Sequence, residues 1–252
     1  GVSLTTLMRL TRVLVWEWEK HIGWCDEHSL LVARLCRKMG AQAGLPGHAV
    51  TSLKLAALLH ELGQPSKYHL TALTVAEHKP YRELARQSLE QLSDLLTAVR
   101  LPVSIKRVLQ NQFEQPCGEG VPGFSRGNQL SQEATILSVV DSYFDLLHNP
   151  GTPGGPCASK KDALARMRAA GERQRLCPLT VELLHQVVSP SAIRDRLLGN
   201  ISTVLLVDPA QDAHLGLVGA LRSERAEVRA VIEEALAVAA ERIARTDGRI
   251  SA

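Results

Sequence analysis

Residues 53–63, LKLAALLHELG, constrain this chain more than any other segment. They close an expected helix at 48–63 whose apolar side chains run almost all the way round. A helix without a polar face is buried, so this one belongs in the middle of a bundle. Its neighbours have the periodicity to surround it. Residues 3–21 place Leu4, Leu7, Met8, Leu10, Leu14 and Val15 largely on one side, as an amphipathic helix does. A helix over 25–44 has Asp26 as a plausible cap and an apolar stripe of Leu30, Leu31, Ala33, Leu35 and Met39; Gly44 and Pro46 stop it. Further helices are expected near 70–79, 81–98, 103–115, 131–148, 160–170 and 179–188. Pro80 and Pro102 mark breaks between them. Residues 116–130 and 149–157 are rich in Gly and Pro and read as loops, the second open to movement. The first 200 residues carry no strand signal, so this part reads as an all-α bundle.

The pattern changes after Gly199. TVLLVD at 203–208 and EVRAVI at 227–232 read as buried strands, and 211–223 and 233–245 as helices. That order indicates a parallel sheet, with 249–252 as the start of a third strand. So small a parallel sheet covers its faces poorly, and this second domain is expected to be incomplete in the chain. The organisation expected is an N-terminal helix at 1–22, a helical domain at 23–190 and an α/β segment at 200–252.

Composition narrows the class of function. Apolar residues make up 45% and charged residues 22% of the 252, as in a folded globular protein. Lys and Arg number 29 against 26 Asp and Glu, with no long basic block, which argues against nucleic-acid binding. No apolar run reaches the roughly 18 residues that cross a bilayer, and no secretory leader is evident, so a cytoplasmic protein without membrane insertion is expected. Cys25, Cys36, Cys117, Cys157 and Cys177 form no C-x-x-C pair. Reduced thiols are the simpler reading.

The chemistry lies at the end of the buried helix. His60 and Glu61 follow an aliphatic run, and burying both is costly unless something pairs them. His28 lies on another apolar helix, and Asp141 directly follows Val139-Val140. Taken singly, His60 reads as a satisfied core histidine, Glu61 as reaching solvent and Asp141 as a local cap or pair. Taken together, three helices would each bring a polar ligand to one point, the way metal sites are built within bundles. His69 and His78 sit in more polar surroundings and are expected on the surface or in a supporting layer.

Over 24–188 the order of these residues resembles the HD-GYP branch of the HD phosphohydrolase superfamily. Glu27-His28-Ser29 is similar to the family's first metal histidine with its following Ser. Residues 56–64, AALLHELGQ, resemble A-L-L-H-D-I-G-K, with Glu61 for Asp and Gln64 for Lys. Residues 112–122, QFEQPCGEGVP, fall on H-H-E-x-x-D-G-x-G-Y-P and keep Glu114, Gly118, Gly120 and Pro122. Residues 136–145, ILSVVDSYFD, resemble I-L-x-V-A-D-x-Y-D-A, whose first Asp is a metal ligand. The resemblance implies an HD-type helical bundle with residual metal candidates His28, His60, Glu61 and Asp141. It also implies a substrate loop carrying Glu114, Gly118, Gly120 and Pro122, set either as a mouth over the site or as a plain surface loop.

The departures are as specific as the matches. Gln112 and Phe113 replace the family's paired histidines, and Cys117 and Val121 replace its Asp and Tyr. No histidine lies between His78 and His148, so the middle histidine is missing too. In the intact family a cluster of two or three ions polarises a phosphodiester and generates a hydroxide, clamping the attacking and leaving oxygens. Here at most one divalent transition metal, iron, manganese or zinc, is expected. Residues 203–252 resemble the opening of a response-regulator receiver domain, with Asp208 in one of its acidic places and Pro209 in the other; a βαβ docking appendage is the alternative.

Three functions follow. The favoured one is a regulatory, catalytically impaired HD-GYP-like protein of bacterial cyclic di-GMP signalling that binds a partner signalling protein or the nucleotide. The second is a working metal-dependent phosphodiesterase with an altered ligand set. The third is a structural helical scaffold in which residues 3–21 serve a homodimer, although that helix packs equally well within one chain.

Overall fold

A computed structural model describes residues 28–64, 69–98 and 101–189. The expected helix at 3–21, Cys25, the whole α/β segment at 200–252 and Asp208 lie outside these residues. The chain divides into two compact units, Gly1–His185 and Gln186–Ala252, and nearly all described residues belong to the first. Eight α-helices make up that part, and the described residues contain no sheet. They are α1 (His28–Gln42), α2 (Gly47–Leu59), α3 (Ala72–Glu77), α4 (Lys79–Ala98), α5 (Val103–Gln110), α6 (Gln132–His148), α7 (Lys160–Glu172) and α8 (Pro178–Val188).

The apolar character of α2 has the expected consequence. Leu53, Leu55, Ala56, Ala57 and Leu58 are all buried, and α2 packs against α1, α5 and α6. Helix α6 is as central, packing against α1, α2, α3, α5 and α7. It buries Ile136, Leu137, Val139, Val140 and Leu146, and among them Ser138, Asp141, Ser142 and Asp145. Polar side chains so placed need partners in the interior.

Local chemistry sets the ends of the elements. Gly44 takes φ 74° and stops α1, with Leu45 N–H returning to Gly40 O at 3.0 Å. Ser131 caps α6, its hydroxyl accepting from Ala134 N–H at 3.2 Å. Thr71 and Thr74 form a reciprocal capping box on α3. Pro80 does not separate two helices as expected. The break is at His78, and Pro80 sits in the first turn of α4, where a missing N–H costs nothing.

Two expected helices are shorter than their patterns. The run 48–63 leaves the helix after Leu59, and 103–115 ends at Gln110. In the second case Phe113 instead forms an antiparallel bridge with Val121, so the chain extends where apolar spacing suggested a further turn. The loop after α6 is tied down despite its Gly and Pro content. Asp145 accepts from Asn149 Nδ2 at 2.7 Å and from the Thr152 hydroxyl at 2.7 Å, and Cys157 N–H reaches Leu146 O at 2.7 Å.

Candidate metal centre

The site is built where the end of α2 meets α1 and α6. His60 is the C-cap of α2, and its Nδ1 lies 2.7 Å from Ala57 O, an end carbonyl of its own helix. A carbonyl only accepts, so Nδ1 carries the proton and Nε2 faces inward. That Nε2 lies 3.2 Å from Asp141 Oδ1. His28, at the start of α1, puts its Nε2 3.2 Å from the same oxygen. His69, in the segment leading to α3, puts its Nε2 2.9 Å from it. The four residues are buried, and one ligand atom from each lies within 4.8 Å of all the others.

His69 is the residue that sequence reasoning misplaced. It is buried beside Asp141 with the other two histidines, not on the surface. Its polar neighbours in sequence are misleading, because Gln64 links the residue after His69 to the end of α2. Gln64 Oε1 accepts from Leu70 N–H at 2.8 Å, and Gln64 Nε2 donates to His60 O at 3.4 Å. Gly63 makes the turn at φ 88°, where a Cβ would stand 2.8 Å from Ser88 O on α4. A Gln in the family's Lys position was the one signal in the sequence, and only a structure shows what it holds. His78 forms the C-cap of α3 instead.

Glu61 takes a place behind the cluster. Its Oε1 is 3.1 Å from His69 Nδ1, and its Oε2 accepts from the Ser29 hydroxyl at 3.3 Å. This carboxylate–imidazole contact is the arrangement that orients a ligating histidine. Adjacent residues diverge around a helix end, so His60 and Glu61 reach different members of the site.

Electrostatics follow from burial opposed by proximity. Burial works against charge at Asp141, but the neighbouring His69 and His60 hold its carboxyl well below the usual range. Burial likewise opposes charge on His69, yet Asp141 and Glu61 push its imidazole well above the ordinary value. His60 moves up for the same reasons, with Asp141 outweighing burial. Burial prevails at His28, which moves down although its bond to Asp141 resists. Glu61 is lowered from 4.5 to about 2, the histidines overcoming its burial.

The donor set fits a metal ion. Three imidazole nitrogens converge on one carboxylate oxygen. For His60 and His69 the opposite nitrogen is already committed to an acceptor. Neutral rings therefore present lone pairs to an anion, a repulsive arrangement that either extra protons or one cation relieves. Nitrogen donors with one carboxylate suit zinc, iron or manganese.

The second motif region is different. Phe113 is fully buried in an apolar cluster with Leu70, Val75, Ala85 and Val121. The Gln112 amide is buried with no hydrogen bond among the described residues. Glu114 Oε1 accepts from Gly123, Phe124 and Ser125 N–H at 3.0, 2.7 and 3.1 Å, so it organises its own loop. Gly120 lies against Glu114, where a Cβ would come 2.4 Å from the Glu114 Cα. Pro122 follows a cis peptide bond, and Gly118 has φ 81°. Among the described residues the bonds of Glu114 stay within the loop and none reaches the histidines.

A family model described as HD domain matches residues 13–176. No curated protein matches the chain.

Proposed function

Because the chain belongs to the HD domain family, we propose that it is a catalytically impaired member of the HD-GYP branch. It would act as a regulator in bacterial cyclic di-GMP signalling, binding a partner protein or the nucleotide without efficient turnover. One observation carries this reading. The place of the family's paired histidines is part of the apolar core, with Phe113 packed among Leu70, Val75, Ala85 and Val121. A phenyl ring has no donor for a cation, and the neighbouring Gln112 offers only a weak neutral oxygen. His28, His60, His69 and Asp141 would hold one ion. A divalent transition ion bound there supplies Lewis acidity, but a single ion lacks the partner that a two-sided clamp on attacking and leaving oxygens needs.

The second reading, a working phosphodiesterase with an altered ligand set, is favoured by the buried three-histidine, one-carboxylate cluster itself. The receiver-like resemblance of residues 203–252 fits an input segment under either reading. No helix among the described residues is long and apolar enough to cross a membrane.

The test is turnover of cyclic di-GMP by the full chain loaded separately with iron, manganese and zinc, with metal content measured in parallel. At most one ion per chain and no linear product are expected. Two ions per chain, with hydrolysis at ordinary enzyme rates of about 1–10³ s⁻¹, would establish the second reading instead.

A further inference from the structure

We propose that His69 closes this centre into a four-donor, single-zinc site of the structural kind, in which side chains fill the position a catalytic metal leaves to water. The inference rests on the one-ion reading above and assigns the metal and its role. Catalytic zinc sites keep three protein ligands and one open position, whereas structural sites use four. Here four protein donors converge, from α1, the end of α2, the segment before α3 and the middle of α6. Iron and manganese prefer more than four ligands, so here they would need water to complete their shells, because nearby carboxylates are engaged elsewhere. Glu61 holds His69 and accepts from Ser29. Asp145 holds Asn149 and Thr152. Zinc accepts four donors in tetrahedral array without further demand.

The residues on either side of His69 that the structure describes hold the fourth donor in place. Gln64 receives Leu70 N–H and donates to His60 O, which fixes the residue next to His69 against the end of α2. Glu61, adjacent to one ligand in sequence, orients another in space. A zinc ion so held would tie α1, α2 and α6 together and leave no coordination position for a phosphodiester.

The experiment uses the full chain stripped by chelator and titrated with zinc alone, then with cobalt(II) as a visible probe. The wild type is expected to take one zinc per chain, to melt at a higher temperature with zinc than without, and to give the intense visible absorption of four-coordinate cobalt. His69→Ala should lose at least tenfold in zinc affinity, and its cobalt spectrum should change to that of a site open to added azide. Gln64→Ala keeps all four ligands; as a positioning change it should weaken zinc about 10–100-fold, the range for residues that orient ligands. Wild-type zinc affinity and an unchanged cobalt spectrum in both variants would overturn the proposal while leaving the one-ion reading intact. Two zinc ions in the wild type would overturn that reading as well.

Discussion

The two regions in which the sequence resembles HD-GYP motifs are built in opposite ways. Around Asp141, polar side chains from four parts of the chain point at one place, with three imidazole Nε2 atoms meeting one carboxylate oxygen. Around 112–125, a position that holds an imidazole in the related family holds Phe113, and the surrounding space has filled with Leu70, Val75, Ala85 and Val121. Glu114 survives there by turning inward on its own loop. Once the vacancy is packed at core density, restoring the side chain does not restore the site. In the first region, Gln64 accepts from Leu70 N–H and donates to His60 O, which holds the residue next to His69 near the end of α2.

The largest effect is expected from removing the common acceptor. Asp141→Ala removes the carboxylate oxygen that three buried imidazoles share and should cost about 3–5 kcal/mol at neutral pH, read by urea denaturation of metal-free protein. A loss below about 1 kcal/mol would mean that the convergence on Asp141 contributes little to the fold. Phe113→His comes next. It puts a polar ring among apolar side chains and should destabilise by roughly 2–4 kcal/mol without raising the metal content. A gain from one to two ions per chain would erase the distinction drawn between the two regions.

A pH series sharpens the comparison in the metal-free protein. The folded Glu61 value, about 2, lies below its ordinary 4.5, so the unfolded chain binds this proton more readily in between. Its stabilisation is present above 4.5 and is lost as pH falls towards about 2. Glu61→Gln should flatten the fall of stability with acid there by up to about 1.4 kcal/mol per pH unit, one proton's worth. His69 has the opposite sign. Its contribution is present below its ordinary 6.5 and is lost only as pH rises through its raised folded value. An unchanged acid limb in Glu61→Gln would sever the link to His69. The smallest effect belongs to Gln112, whose buried amide has no hydrogen bond among the described residues. Gln112→Leu should be neutral or stabilising by about 1 kcal/mol in the same denaturation measurement.

Much of the helical frame was legible because burial leaves a period in the sequence. The apolar circumference of 48–63 placed α2 at the centre, whereas the equally central place of α6 was seen only in the structure. Gly44, Pro46 and Ser131 end or begin helices through rules that act within a few residues. The end of α5 was not legible, because leaving the helix at Gln110 depends on Phe113 pairing with Val121, eight residues on.

The centre divides in the same way. Sequence alone singled out His28, His60, Glu61 and Asp141, since a charge or imidazole inside an apolar run demands a partner. It did not determine which of them meet. Tertiary structure put His69 among the converging donors and Glu61 behind it, through bonds from Gln64 and Leu70 that no periodicity encodes. Periodicity reports whether a side chain is inside. What it touches there is decided by how distant segments fold back on one another.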